Sequence, residues 1–233
     1  MNKADRVFTF TALIACPLAC ITNYAVMFGL GAMYPGYSQV HNTLSEMGVA
    51  ASPVSHLISG WWVILGSLII LFGIGFRKAF RNENGIVRLA SWLIILYGIG
   101  DDIGSGLFRI SRMANGRLTP IGLLHDGLGG IGVAAILILP LLLLTIFPKR
   151  KHPGFYRLSI GILIAAPLFL ILFSISKSIN DPFNFFVLYK GLWQRLLGLT
   201  FYIYLAALAF MSLKHLKAES WNNRRRAGKS KNS

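Results

Sequence analysis

Residues 34–48 read Tyr-Pro-Gly-Tyr-Ser-Gln-Val-His-Asn-Thr-Leu-Ser-Glu-Met-Gly, and they set His41, Asn42, Thr43, Ser45 and Glu46 between two long apolar stretches. The other ionisable positions that stand out within or beside the apolar stretches are His56, the adjacent Asp101 and Asp102, His125 with Asp126, and Arg195. Two imidazoles and a carboxylate suit zinc. His56, His125 and Asp101 supply that donor set, and Glu46 would then serve as general base on a metal-bound water. No His-x-x-x-His spacing supports it. The catalytic candidates are therefore Glu46, His125 and Asp101. The binding candidates are Tyr34, Ser45, Asp102, Asp126 and Arg195, which would recognise a lipid headgroup without reaction. A third use of Asp, His and Arg inside a helix bundle is to relay protons in a small transporter. A fourth reading is structural. Arg195 would pair with Asp101, Asp102 or Glu46, His56 would face headgroups, and His125 would donate to a backbone carbonyl between helices. Two neighbouring carboxylates do not point the same way, so at most one of Asp101 and Asp102 is expected in any site.

The solvent that positions these residues is lipid. The chain of 233 residues is 55% hydrophobic and 13% charged, with mean hydropathy +0.60, whereas soluble domains carry about 25% charged residues. The net charge of +15 does not indicate nucleic acid, because Lys and Arg sit between and after apolar runs, where they set membrane topology. The only cysteines, Cys16 and Cys20, lie one helical turn apart in the first apolar run. They read as small packing residues on one helix face, and a disulfide framework is excluded. Leu13-Ile14-Ala15-Cys16 also has the look of a lipoprotein cleavage box, but the apolar run continues past it and Pro17 follows directly.

Six apolar segments follow: 7–33, 54–76, 87–108, 120–147, 156–175 and 188–213. The first is too long for a signal peptide. Tyr34-Pro-Gly predicts a turn, and Pro53 predicts a helix start. Basic residues cluster after the second segment (Arg77, Lys78, Arg81), after the fourth (Lys149, Arg150, Lys151) and after the sixth (Lys214, Lys217, Arg224, Arg225, Arg226, Lys229, Lys231). This asymmetry predicts six transmembrane helices with both termini cytoplasmic. The expected fold is thus an all-α integral membrane bundle over 1–213. A basic cytoplasmic tail over 214–233 is expected to be disordered. The expected location is a bacterial cytoplasmic (inner) membrane, and the expected partners are membrane lipids, with no nucleic acid. In that frame Asp101 lies about 20 Å across a core of about 30 Å. His125, Asp126 and Arg195 then lie at most about 10 Å below the same outer face. Charge placed at membrane depth costs several kcal/mol, so a shared depth across several segments points to one outward-facing polar pocket.

Tyr34-Pro-Gly-Tyr37, Thr43-Leu-Ser-Glu-Met-Gly48, Ser52-Pro53 and His125 at the head of the fourth segment make the chain resemble a bacterial and archaeal membrane family, domain of unknown function 998. The family pattern is closer to Ile-Ser-Glu-Leu-Gly in the second motif, and a Pro-x-Asp-like element after its third helix is replaced here by Phe108-Arg-Ile-Ser. The resemblance implies six helices. It implies no reaction.

Overall fold

Two of the long helices, the first and the one that opens at Pro120, begin where a polar side chain caps an apolar run. The computed structural model describes residues 1–80, 85–114 and 116–230, with side chains described up to residue 218. Arg81, Lys231 and the side chains of Arg224, Arg225, Arg226 and Lys229 lie outside that description. In α1 (Lys3–Ala32), the Asn2 side chain accepts the Asp5 N–H at 2.7 Å, which satisfies one of the orphan donors of a helix N-terminus. The helix carries Pro17 in its interior. The predicted turn follows: Tyr37 N–H donates to the Tyr34 carbonyl at 3.1 Å, and Gly36 takes φ 76°. One helical turn, α2 (Leu44–Met47), precedes α3 (Ser55–Ala79).

The third apolar segment departs from the expectation of one helix. It runs as α4 (Gly85–Tyr97), a π-helical segment (Gly98–Ile103) and α5 (Gly104–Leu107). Glycines 98, 100, 104 and 106 with the two aspartates weaken α-helical propensity there, and a π turn is a common form of local insertion at functional sites. A Cβ on Gly98 would lie 2.8 Å from the Gly66 carbonyl of α3. A Cβ on Gly100 would lie 2.5 Å from the Leu128 carbonyl in α6 (Pro120–Ile146). The π segment is therefore clamped backbone-to-backbone between two helices. The clamp separates its carboxylates: Asp102 meets α3 at Gly66, and Asp101 meets α6 at Gly132.

Three further long elements complete the bundle. In α6 (Pro120–Ile146), Pro120 opens the helix and the Thr119 hydroxyl accepts the Gly122 N–H at 3.1 Å. Then come α7 (Pro153–Ser178), the short α8 (Phe185–Leu188) and α9 (Lys190–Ser230). The last continues as helix across the boundary expected at residue 213. The only extended pairing among the described residues is an isolated bridge, Arg112 to Leu118.

Among the described residues, five helices are long and apolar enough to cross a membrane: Lys3–Ala32, Ser55–Ala79, Pro120–Ile146, Pro153–Ser178 and Lys190–Ala218. The pieces of the third segment are individually too short. Helix α3 is central and packs on α1, α4, the π segment and α9. Its Leu65, Ile69, Phe72 and Phe76 are buried with Leu13, Cys16, Ile94 and Leu208. Cys16 and Cys20 are free and buried, as packing residues are. Exposed Ile21, Leu57, Ile131, Leu141 and Ile164 give the apolar exterior of a membrane protein. Lipid is as apolar as such a core, so association rests on close packing and interhelical hydrogen bonds. Asn23 supplies two: Trp61 Nε1 donates to its Oδ1 at 2.8 Å, and its Nδ2 donates to the Tyr202 hydroxyl at 2.9 Å, joining α1, α3 and α9.

Candidate functional site

The loop at 38–43 lies against the start of α9. Leu192 N–H donates to the Val40 carbonyl at 3.0 Å, Leu44 N–H to Gln194 Oε1 at 2.7 Å, and His41 Nδ1 meets the Leu188 carbonyl at 2.6 Å. Arg195 anchors this contact. It is only 7% exposed. Its Nε donates to Gln39 Oε1 at 2.9 Å. Nη1 donates to the Asn42 and Gly191 carbonyls, both at 2.9 Å. Nη2 donates to Gln39 Oε1 at 2.6 Å and to the Tyr37 hydroxyl at 2.7 Å. All five guanidinium donors are thus used, and every acceptor is neutral. The expected pairing of Arg195 with Asp101, Asp102 or Glu46 does not occur. The loop supplies oxygens at shorter reach than any carboxylate. Burial pushes the Tyr37 hydroxyl above its ordinary pKa, and the Arg195 charge partly offsets that rise. Tyr37 in turn donates to the Thr43 carbonyl at 2.9 Å.

Glu46 is bound by Lys190 at 2.5 Å on one oxygen and by Asn42 Nδ2 at 2.5 Å on the other. Both of its oxygens are occupied. Tyr34 stacks on Tyr37 with 5.5 Å between centroids and packs with Met47, Val54, Ile58 and Trp62. His56 is exposed and accepts Arg109 Nη2 on Nδ1 at 2.9 Å. His125 is buried, with Nδ1 on the Phe108 carbonyl at 2.8 Å and Nε2 on the Ser45 hydroxyl at 3.1 Å. The donation to a backbone carbonyl was the structural expectation for this residue. No group of three or more His, Cys, Asp or Glu among the described residues could hold a metal ion. The zinc set of His56, His125 and Asp101 is therefore not gathered: His56 turns to the surface with Arg109, and both ring nitrogens of His125 are already engaged.

Two adjoining cavities lie beside the loop. The inner one, about 320 Å³, brings together Ser45, Asp101, His125, Asp126 and Arg195. Tyr97 and Lys177 line the same cavity as Asp101. Val133, Leu137, Leu170, Phe173, Leu197 and Phe201 form its apolar wall, and exposed Gly130, Ala134 and Ser174 lie where it opens between α6 and α7. The second cavity, about 560 Å³, holds Glu46, Arg112, Lys177 and Lys190, and shares Ser45, Phe173 and Lys177 with the first. Lys177 approaches Asp126 at 3.6 Å, with both side chains a third or more exposed. Asp102 lines neither cavity. It is 4% exposed, and its Oδ2 has no hydrogen-bond partner among the described residues.

Gln39, Lys177, Lys190 and Gln194 were not singled out by the sequence. A signal existed for Lys177: it is the one basic residue in the last turn of α7, two residues beyond the expected end of its apolar segment. Gln39 and Gln194 gave none, because a glutamine becomes a partner only once the loop path is known.

No curated protein and no solved structure matches the chain. The residues that carried the resemblance, from the 34–48 loop to His125, fall within one matched stretch, residues 17–211, and the chain belongs to the family described as protein of unknown function (DUF998).

Proposed function

We propose that this protein is a six-span protein of the bacterial cytoplasmic membrane that holds an amphiphile in an outward-facing cavity between α6 and α7. The observation that carries the reading is the mixed lining of the inner cavity. Aliphatic and aromatic side chains line it together with Ser45, Asp101, Asp126, Lys177, Gln194 and Arg195. Pockets of this kind, mostly apolar with a few convergent polar groups, are ordinary ligand sites. In this reading the segment 85–107 is the additional span. Residues 1–213 form the membrane domain, and the basic stretch 214–233 meets anionic lipid headgroups on the cytoplasmic side. A zinc hydrolase has no gathered donor set to support it.

Binding is tested with a photo-activatable anionic phospholipid in nanodiscs. Cross-links are expected to concentrate on Val133, Leu137 and Leu170, and Ala134→Trp, which fills the opening, is expected to reduce them at least about fivefold. An even spread around the outer surface, unaffected by Ala134→Trp, would overturn the reading. Topology is tested separately. Reporters fused after Ser233 and inserted after Gly116 are expected on opposite sides of the membrane, and a same-side result rules out the six-span arrangement.

A further inference from the structure

Binding alone makes no use of the Ser45–His125 contact, and its proton arrangement follows from its partners. A carbonyl oxygen carries no proton, so the 2.8 Å contact with Phe108 requires the proton on His125 Nδ1. In the neutral ring, Nε2 is then the bare lone pair, and the Ser45 hydroxyl at 3.1 Å is the donor. A hydroxyl aimed at an imidazole base, with the base oriented through its other nitrogen by a third group, is the arrangement that activates a serine nucleophile. Here a backbone carbonyl is the orienting group.

The location of Ser45 indicates the substrate. It lines both cavities. On one side lie the apolar residues of α6, α7 and α9. On the other lie Arg112, Lys177 and Lys190, with Glu46 bound to Lys190 and Asp126 3.6 Å from Lys177. An anionic lipid laid across the two would put its chain in the first and its headgroup in the second. The linkage between them would sit at the serine.

We propose that Ser45 is the nucleophile and His125 the general base of a hydrolytic site for carboxylic esters of anionic lipids. The proposal rests on the amphiphile cavity described above. Ser45 Oγ bonds to the acyl carbonyl carbon as its proton passes to His125 Nε2. The ester C–O bond breaks, and the lipid alcohol leaves with that proton. Water then attacks the acyl-serine, giving a proton to Nε2. The fatty acid departs, and the same proton returns to Ser45 Oγ. Lys177 and the Gln194 amide, which line the same cavity, are the groups on hand to meet the developing oxyanion.

The test uses the full chain in nanodiscs and a fluorophosphonate probe, which reacts with activated serines. A single adduct is expected, mapped by peptide mass to Ser45 among all the serines. It should be absent in Ser45→Ala and slowed at least about a hundredfold in His125→Gln. The same preparation is expected to release fatty acid from phosphatidylglycerol faster than from phosphatidylcholine. The adduct map of the wild-type chain needs no variant to fold. An unlabelled Ser45 in folded wild-type protein would overturn the proposal, as would labelling indifferent to folded His125→Gln. Lipid cross-linking of Ser45→Ala separates the two readings: retained cross-links with no adduct in the wild type leave binding and remove hydrolysis. Loss of both removes both.

Discussion

Arg195→Leu is expected to destabilise the protein by about 3 kcal/mol, measured by denaturant titration in detergent. The cost comes from what the arginine leaves behind. Gln39 Oε1 loses both of its donated bonds, and Tyr37 Oη and the carbonyls of Asn42 and Gly191 each lose a charge-assisted one; an acceptor left buried without a donor costs about 1–3 kcal/mol before relaxation. Arg195→Lys is expected to recover little, because an ammonium has three donors and no planar fork. Since Arg195 touches no carboxylate, a cycle combining it with Asp101→Asn is expected to be additive within about 0.5 kcal/mol. A melting temperature for Arg195→Leu within a degree of the wild type would show that the loop is held by something else. A coupling above about 1 kcal/mol would restore the ion pair with Asp101.

Gly132→Ala is expected to cost about 1–3 kcal/mol, while Gly130→Ala, two residues away on the same helix, is expected to be neutral or stabilising by up to about 1 kcal/mol. A Cβ on Gly132 would lie 2.5 Å from the Asp101 backbone nitrogen and 3.0 Å from its Cβ, whereas a Cβ on Gly130 meets nothing within 4 Å. Backbone cannot swing aside as a flexible side chain can, so α6 and the π segment must separate. That separation moves Asp101 in the cavity wall. Gly132→Ala is therefore also expected to reduce the lipid cross-links on Leu137. Equal stabilities for the two variants would mean that the clamp is loose.

The apolar runs made the helices legible, because in lipid a spanning segment must satisfy its backbone internally and stay apolar on its outside. Asp101, His125, Asp126 and Arg195 were expected at one depth, and they line one cavity. The partners were not legible. Depth restricts a residue to a layer but says nothing of azimuth around the bundle. Arg195 was matched to the nearest carboxylates on charge alone, but the loop at 37–42 reaches it first with neutral oxygens. His56 shares the layer of His125 and faces away from it. The third segment was expected as one helix, and its break at the four glycines around two aspartates was not read. Which of Asp101 and Asp102 would meet the cavity required the π turn itself.

The opening between α6 and α7 has a thermodynamic consequence. A guest that enters there leaves the acyl-chain phase, not water, so the relevant concentration is its mole fraction among the surrounding lipids. Occupancy then follows composition and is indifferent to dilution of the sample at fixed composition. In the proposed reading, excess detergent lowers that mole fraction and is expected to empty the cavity without touching the protein.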